Sequence, residues 1–313
     1  MYKLKNYVNN NLNTKVKLIK HKRSDYLPLM LFTNGLYSSL KKKTNVELLE
    51  DFSQIDNYNN IILILYLMDL NKNILDKIKQ YNIKTILINT EYYLSIHVYY
   101  KLLKLNEENI NNIVISEYSP LNCKKYESNM KNINYFYGPS LFTNYLIDFY
   151  NENLDKKINI LDKEIDIFTF GYINEKRKKL LLELSKKYNV VYISQVSNKE
   201  LINTIEKSKI ILNINKIGFH NVFDYYRNSF LIANKIFFIY EYPLEIDFEI
   251  DKNLIGIEEN LIVPKYDNII SVIEYYLENY NEELVKNQVE KQYKWFTKFT
   301  LDDNIDKYLL NNL

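Results

Sequence analysis

Glycine and proline are scarce in this chain of 313 residues, five of each, and cysteine occurs once. A single thiol, Cys123, excludes an internal disulfide and any multi-cysteine metal site. The three histidines, His21, His97 and His220, are far apart and show no metal-ligand spacing. The five glycines lie at positions 35, 138, 171, 218 and 256, so neither a Gly-x-Gly-x-x-Gly turn nor a Walker loop can be written. Nicotinamide-dinucleotide enzymes and P-loop nucleotidases are excluded on that ground. An excess of one charge is also missing. The 41 Lys and Arg nearly balance the 39 Asp and Glu, for a net charge of +2. A dedicated nucleic-acid binder would show a strong basic excess. Long apolar runs are absent too. The longest, Ile61 to Met68, would reach about 12 Å as a helix, against a hydrocarbon core of roughly 30 Å. The N-terminal stretch has no continuous apolar segment or small-residue cleavage site, so no secretory signal and no transmembrane span are expected, and a cytoplasmic location is.

What is abundant carries less information. Asn, Lys, Ile and Tyr dominate, with 30 Tyr against 1 Trp, a pattern that reads as AT-rich coding. Against that background the rare residues and the periodicity are the signals. Short β-type runs at Val16–Ile19, Leu27–Phe32, Ile61–Leu67, Thr85–Asn89 and Ile113–Ser116 alternate with helical stretches such as Asn73–Tyr81. A second series has strands at Asp166–Phe170, Val190–Ile193, Ile210–Asn213, Ile236–Tyr240 and Leu261–Val263. Its helices are Glu175–Tyr188, Lys199–Lys207, Phe223–Asn234 and Asp267–Asn279. Runs that are apolar without strict alternation suit strands covered on both faces, and the repeated β-α rhythm argues for α/β with parallel sheets. The polar segment Asn151–Lys163 separates the series. Three regions are expected: residues 1–150, residues 151–290, and a helical segment 291–313, carrying Trp295 at its start, at or near the junction.

The second series carries the chemistry. A strand ending at Gly171 leads through a polar turn into a helix with Lys176 and Arg177 in its first turn. Free N–H groups at a helix start beside cations make a seat for a diphosphate. Further on, Leu212-Asn213-Ile214-Asn215 is followed by a loop, by Asp224 opening a helix, by Arg227, and by Glu241 at a strand end. This ordered set resembles the C-terminal half of glycosyltransferases with the two-domain GT-B fold, in particular the group-1, CgeB-like branch. Tyr293-Lys294-Trp295-Phe296 is similar to that family's C-terminal aromatic helix. The match covers roughly residues 165–300.

The resemblance implies two doubly wound, Rossmann-like domains facing a central cleft, and a metal-independent transferase with no cofactor beyond its nucleotide-sugar donor. The acceptor would be a saccharide, a protein or a lipid-linked molecule, and retention of configuration is favoured. Gly171, Lys176, Arg177, Asn213, Asn215, Asp224 and Arg227 would hold the donor, with Asp224 on the ribose and Arg177 foremost on the diphosphate. Glu241 would face the crevice. The N-terminal half would supply the acceptor side, with Glu91 and Glu117 at strand C-terminal ends as candidate acids, or as plain loop carboxylates, and Asn34-Gly35 as a turn near the acceptor. The family often has His where Asn215 stands. His220 in the next loop is a possible substitute, and the departure leaves open a noncatalytic binding or assembly protein on the same scaffold. No Asp-x-Asp occurs. The alternation Glu245-x-Asp247-x-Glu249-x-Asp251 is either the polar face of a strand or a set of oxygens for a hard cation.

Overall fold

The computed structural model describes residues 15–22, 27–91, 96–138, 142–194, 196–215, 223–243 and 248–302. They divide into two compact units. One runs to Tyr145 and regains the chain from Phe299; the other spans Leu146–Lys298.

The first unit holds β1 (Lys15–Ile19), α1 (Leu27–Lys41), β2 (Val46–Leu49), β3 (Ile61–Tyr66), α2 (Lys72–Gln80), β4 (Lys84–Asn89), α3 (Ile96–Glu108), β5 (Ile113–Glu117), α4 (Pro120–Asn129) and β6 (Asn134–Tyr137). The strands form one six-stranded sheet in the order β2-β1-β3-β4-β5-β6, all pairs parallel. Strand β3, Ile-Ile-Leu-Ile-Leu-Tyr, is buried along its whole length. Such a strand has no polar face because helices cover both sides of a parallel sheet. Each large side chain buried there contributes about 1.5–3 kcal/mol.

Residues 27–32 are helical, not the strand expected. Leu29, Thr33, Leu36 and Leu40 are buried, and that three-to-four spacing is the inner stripe of a helix. Leu and Met also carry no β-branch to favour an extended chain. Gly35 therefore lies inside α1 and forms no turn. A Cβ there would stand 2.8 Å from Thr143 Oγ1, so its smallness serves close packing. Strand β2 gives little sequence signal because only Val46 of its four residues is fully buried.

The second unit contains α5 (Tyr145–Asn153, whose first residue closes the first unit), β7 (Ile165–Phe170), α6 (Glu175–Leu184), β8 (Val190–Ile193), α7 (Asn198–Glu206), β9 (Ser208–Asn213), α8 (Tyr225–Ala233), β10 (Phe238–Tyr240), α9 (Ile257–Asn260), α10 (Ile269–Glu278) and α11 (Glu282–Phe296). Its sheet is parallel in the order β10-β9-β7-β8. Leu261–Val263 does not form the strand expected. The carbonyls of Ile262 and Pro264 accept from Tyr240 and Tyr242 at 3.0 and 2.9 Å, but Pro264 has no N–H with which to extend a ladder. Trp295 of α11 is buried, and its indole N–H donates to the Ile255 carbonyl at 3.1 Å, within the same unit. Beyond it the chain rejoins the first unit, where Leu301 N–H donates to the Phe142 carbonyl at 2.9 Å.

Candidate functional site

Ligands of open α/β sheets bind beyond the strand C-termini where the strand order reverses direction, because two loops diverge there and leave a crevice. In the second unit that point lies between β7 and β9. The chain leaves β7 at Gly171 with φ +103°, a backbone region that side chains with a Cβ resist. A Cβ there would also stand 3.1 Å from Arg227 Nη2. Asn174 then caps α6 by accepting from Arg177 N–H at 2.9 Å, which sets Lys176 and Arg177 in the first turn.

Across the switch point, Asn213 ends β9. Its Oδ1 accepts from Arg227 Nη1 at 2.6 Å, and its Nδ2 donates to Asn228 Oδ1 at 2.9 Å. The Arg227 guanidinium lies 5.0 Å over the Phe170 ring. Asp224 caps α8, accepting from Arg227 N–H at 3.1 Å, while its other oxygen is 3.7 Å from Arg227 Nε. Glu241 follows β10. Its Oε2 accepts from Asn215 N–H at 2.9 Å, and its Oε1 pairs with Lys176 Nζ. Lys176 also sits 4.4 Å over the Tyr266 ring. Lys176, Asn213, Asn215, Asp224, Arg227 and Glu241 are joined by hydrogen bonds and ion pairs, Tyr240 linking Asp224 to Asn215, while Gly171 and Arg177 bond to other groups beside them. Asp224 is its most open carboxylate, with a side chain 30% exposed, whereas Arg227 is 7% exposed and Glu241 is 4% exposed.

Two members are placed differently from the sequence expectation. Arg177 donates from Nε and Nη2 to the Ile214 carbonyl and from Nη1 to the Tyr172 carbonyl. Its fork ties the exits of β7 and β9 together, whereas Lys176 is paired with Glu241. Asn215, where the family often has His, has its amide committed: Nδ2 donates to the Glu241 carbonyl at 3.1 Å, and Oδ1 accepts from Tyr240 O–H at 2.8 Å. Sequence reasoning missed Tyr240, whose buried hydroxyl also accepts from Asp224 N–H at 3.1 Å. Burial keeps that phenol protonated well above its ordinary range.

His220, Glu245 and Asp247 lie outside the described residues. Residues 248–250 form a turn, not a strand face, and both Asp251 oxygens accept from Tyr225 O–H at 2.8 Å. Among the described residues no group of three or more His, Cys, Asp or Glu could hold a metal ion.

In the first unit the switch point falls between β1 and β3. His21 stands there, two residues beyond β1, buried, with its ring edge-on to Tyr66 of β3 at 4.7 Å. A strand exit was the signal for His21, and a search for metal-ligand spacing passes over it. Glu91 follows β4 and Glu117 ends β5, away from this point. Glu117 is fully buried. Its oxygens accept from Asn89 Nδ2 at 2.7 Å, Tyr126 O–H at 2.6 Å, and Ser119 N–H and Asn122 Nδ2, both at 3.0 Å. Burial outweighs these donors and raises its carboxyl to about 7. The same two amides also donate to the Glu91 carbonyl, at 2.8 and 3.1 Å. Glu117 therefore acts here as a brace for the Glu91 turn, with no surface left to meet an acceptor.

No family model matches the chain. The fold is shared with solved structures at low identity. An alpha-glucosyltransferase in complex with UDP and a 13-mer DNA containing a central A:G mismatch aligns with a TM-score of 0.54 and 10% identity, over 95% of this chain and all of the other. A S. aureus MnaA–UDP co-structure aligns at 0.50 with 13% identity, over 96% of this chain and 98% of that one. These likenesses and the two parallel sheets give the GT-B fold. In sequence, the uncharacterized protein R358 of Acanthamoeba polyphaga mimivirus is 31% identical over 216 residues, 67% of this chain and 68% of that protein. The chain belongs to the family of that mimivirus protein.

Proposed function

We propose that the chain is a glycosyltransferase that moves a sugar from a nucleotide-activated donor to a saccharide, protein or lipid-linked acceptor, without a divalent ion. The observation that carries this reading is the convergence of Gly171, Lys176, Asn213, Asp224, Arg227 and Glu241 at the switch point of the second unit. UDP in the solved structures that share the fold supports the nucleotide half of it.

Asp224, partly open and fixed as a helix cap, accepts from the ribose hydroxyls. Lys176, with the N–H groups that open α6, faces the diphosphate as the anomeric C–O bond breaks and negative charge grows on the leaving group. Fixed positive groups aimed at developing charge lower the barrier without reorganising. The acceptor oxygen bonds to the anomeric carbon on the face the diphosphate leaves, and its proton passes to the departing phosphate oxygen. Family resemblance supports retention of configuration.

Incubation with UDP-glucose, UDP-N-acetylglucosamine and GDP-mannose, with released nucleoside diphosphate read by chromatography, tests the reading. Release from at least one donor is expected, undiminished by excess EDTA. Abolition by EDTA would remove the metal-independent mechanism. No release from any donor would favour the noncatalytic scaffold that the locked Asn215 allows.

A further inference from the structure

At the N-terminal ends of β3, β4 and β5, opposite the edge that carries His21 and Glu91, the first unit has an open groove of about 840 Å³. Its walls are unusual in charge. Five asparagines line it, and Lys84 is the one charged residue among the described residues of the lining. No carboxylate contributes to the lining, and its positive charge is limited to Lys84 and to Lys77, whose ammonium lies 5.8 and 5.4 Å over the Tyr58 and Tyr81 rings, too little for a polyanion. The apolar floor is narrow, which suits neither a helix nor an extended apolar peptide.

The remaining features are an aromatic face and carboxamides. Tyr81 is 40% exposed and stacks on Tyr58 at 4.8 Å and 19°. Tyr58 is fixed from behind by Phe52, at 5.8 Å. Asn60 and Asn82 have φ of +53° and +50°, so their identity serves the backbone, since Asn tolerates the left-handed region. Asn59 and Asn111 are exposed with no such backbone demand. A carboxamide carries both donor and acceptor and matches a pair of neighbouring hydroxyls. A tyrosine offers a flat apolar body with a polar tip, the complement of a sugar ring with its C–H face and hydroxyl rim.

We propose that this groove binds a neutral oligosaccharide chain, at a site separate from the donor cluster and independent of it.

The test is calorimetric titration of the full chain with maltoheptaose, cellohexaose, chitohexaose and α-mannohexaose, in the absence of any nucleotide. At least one is expected to bind. Tyr81→Ala is expected to weaken that binding about tenfold, as loss of an aromatic stacking contact does, and the double variant Asn59→Ala/Asn111→Ala to weaken it comparably. The double variant should unfold at the wild-type urea concentration, since Asn59 and Asn111 lie at the surface, and Tyr81→Ala at a slightly lower one, having lost its stack on Tyr58. Failure of all four sugars to bind overturns the proposal, as does binding that survives both variants. Preferential binding of dextran sulfate that Lys84→Ala abolishes and Tyr81→Ala leaves intact also overturns it. None of these readouts uses the donor, so a chain that binds no nucleotide leaves this test intact.

Discussion

Arg227→Ala is expected to lower the stability of the second unit by about 3–5 kcal/mol, the cost of removing one partner from a buried charged network. The guanidinium is almost enclosed, donates to Asn213, stands beside Asp224 and covers the Phe170 ring. Its removal leaves Asn213 Oδ1 without its donor and the Asp224 carboxylate without its countercharge. It also opens a void beside Gly171. Arg227→Lys should recover only part, because an ammonium lacks the planar fork that bonds and stacks at once. Urea-unfolding midpoints of the two variants check this. By contrast Lys186→Ala, which removes an exposed pair with Glu183, should stay within about 0.5 kcal/mol of wild type. An Arg227→Ala midpoint equally close to wild type would mean that the cluster is not the structural centre described.

Glu117→Ala should cost about 3 kcal/mol or more, since the Ser119 N–H and Tyr126 O–H would lose their acceptor and the Asn89 and Asn122 amides would keep only the Glu91 carbonyl and weaker contacts. The pH dependence is more specific. The folded carboxyl titrates at about 7, while an unfolded glutamate titrates near 4.3. Between those values the folded chain holds a proton that the unfolded chain has lost. Raising the pH through that window therefore destabilises the fold, and by pH 8 the full difference, on the order of 3 kcal/mol, has been lost. Glu117→Gln cannot titrate and should lack this slope, whatever its absolute stability. Parallel pH profiles for wild type and Glu117→Gln between pH 5 and 8 would show that another group, or none, carries the dependence.

The parts of the fold legible in sequence were those where local pattern and tertiary demand agree. Ile61–Tyr66 is an apolar run and Ile165–Phe170 is rich in β-branched and aromatic residues, and both are strands. Residues 27–32 were also an apolar run, but of Leu, Met and Phe. The stripe that identifies a helix there becomes visible only when the window extends to Leu40. The cluster at the β7–β9 switch point was legible in part because its charged members and Gly171 fall in order. What could not be read was how each side chain is spent. The Ile214 carbonyl that occupies Arg177 and the Asn89 amide that meets Glu117 come from positions 37 and 28 residues away. No spacing rule encodes them. Tyr240 was invisible for a different reason: among 30 tyrosines a single one carries no signal, although this one bridges Asp224 and Asn215.

The most direct test of donor binding is calorimetric titration of UDP into the full chain and into Asp224→Ala, both with excess EDTA. Asp224→Ala gives up both a helix cap and the countercharge of Arg227, so its titration is read beside its urea-unfolding midpoint, taken under conditions where the variant is folded. A charge-assisted bond to the ribose is worth about 1.5–3 kcal/mol, so its loss should weaken UDP binding by about 10–100-fold. Saturable binding by the wild-type chain in EDTA, with that loss in the variant, is the expected result. Equal affinities, or no binding of UDP or any other nucleoside diphosphate by the wild-type chain, would contradict the placement of a nucleotide-sugar donor at the β7–β9 switch point.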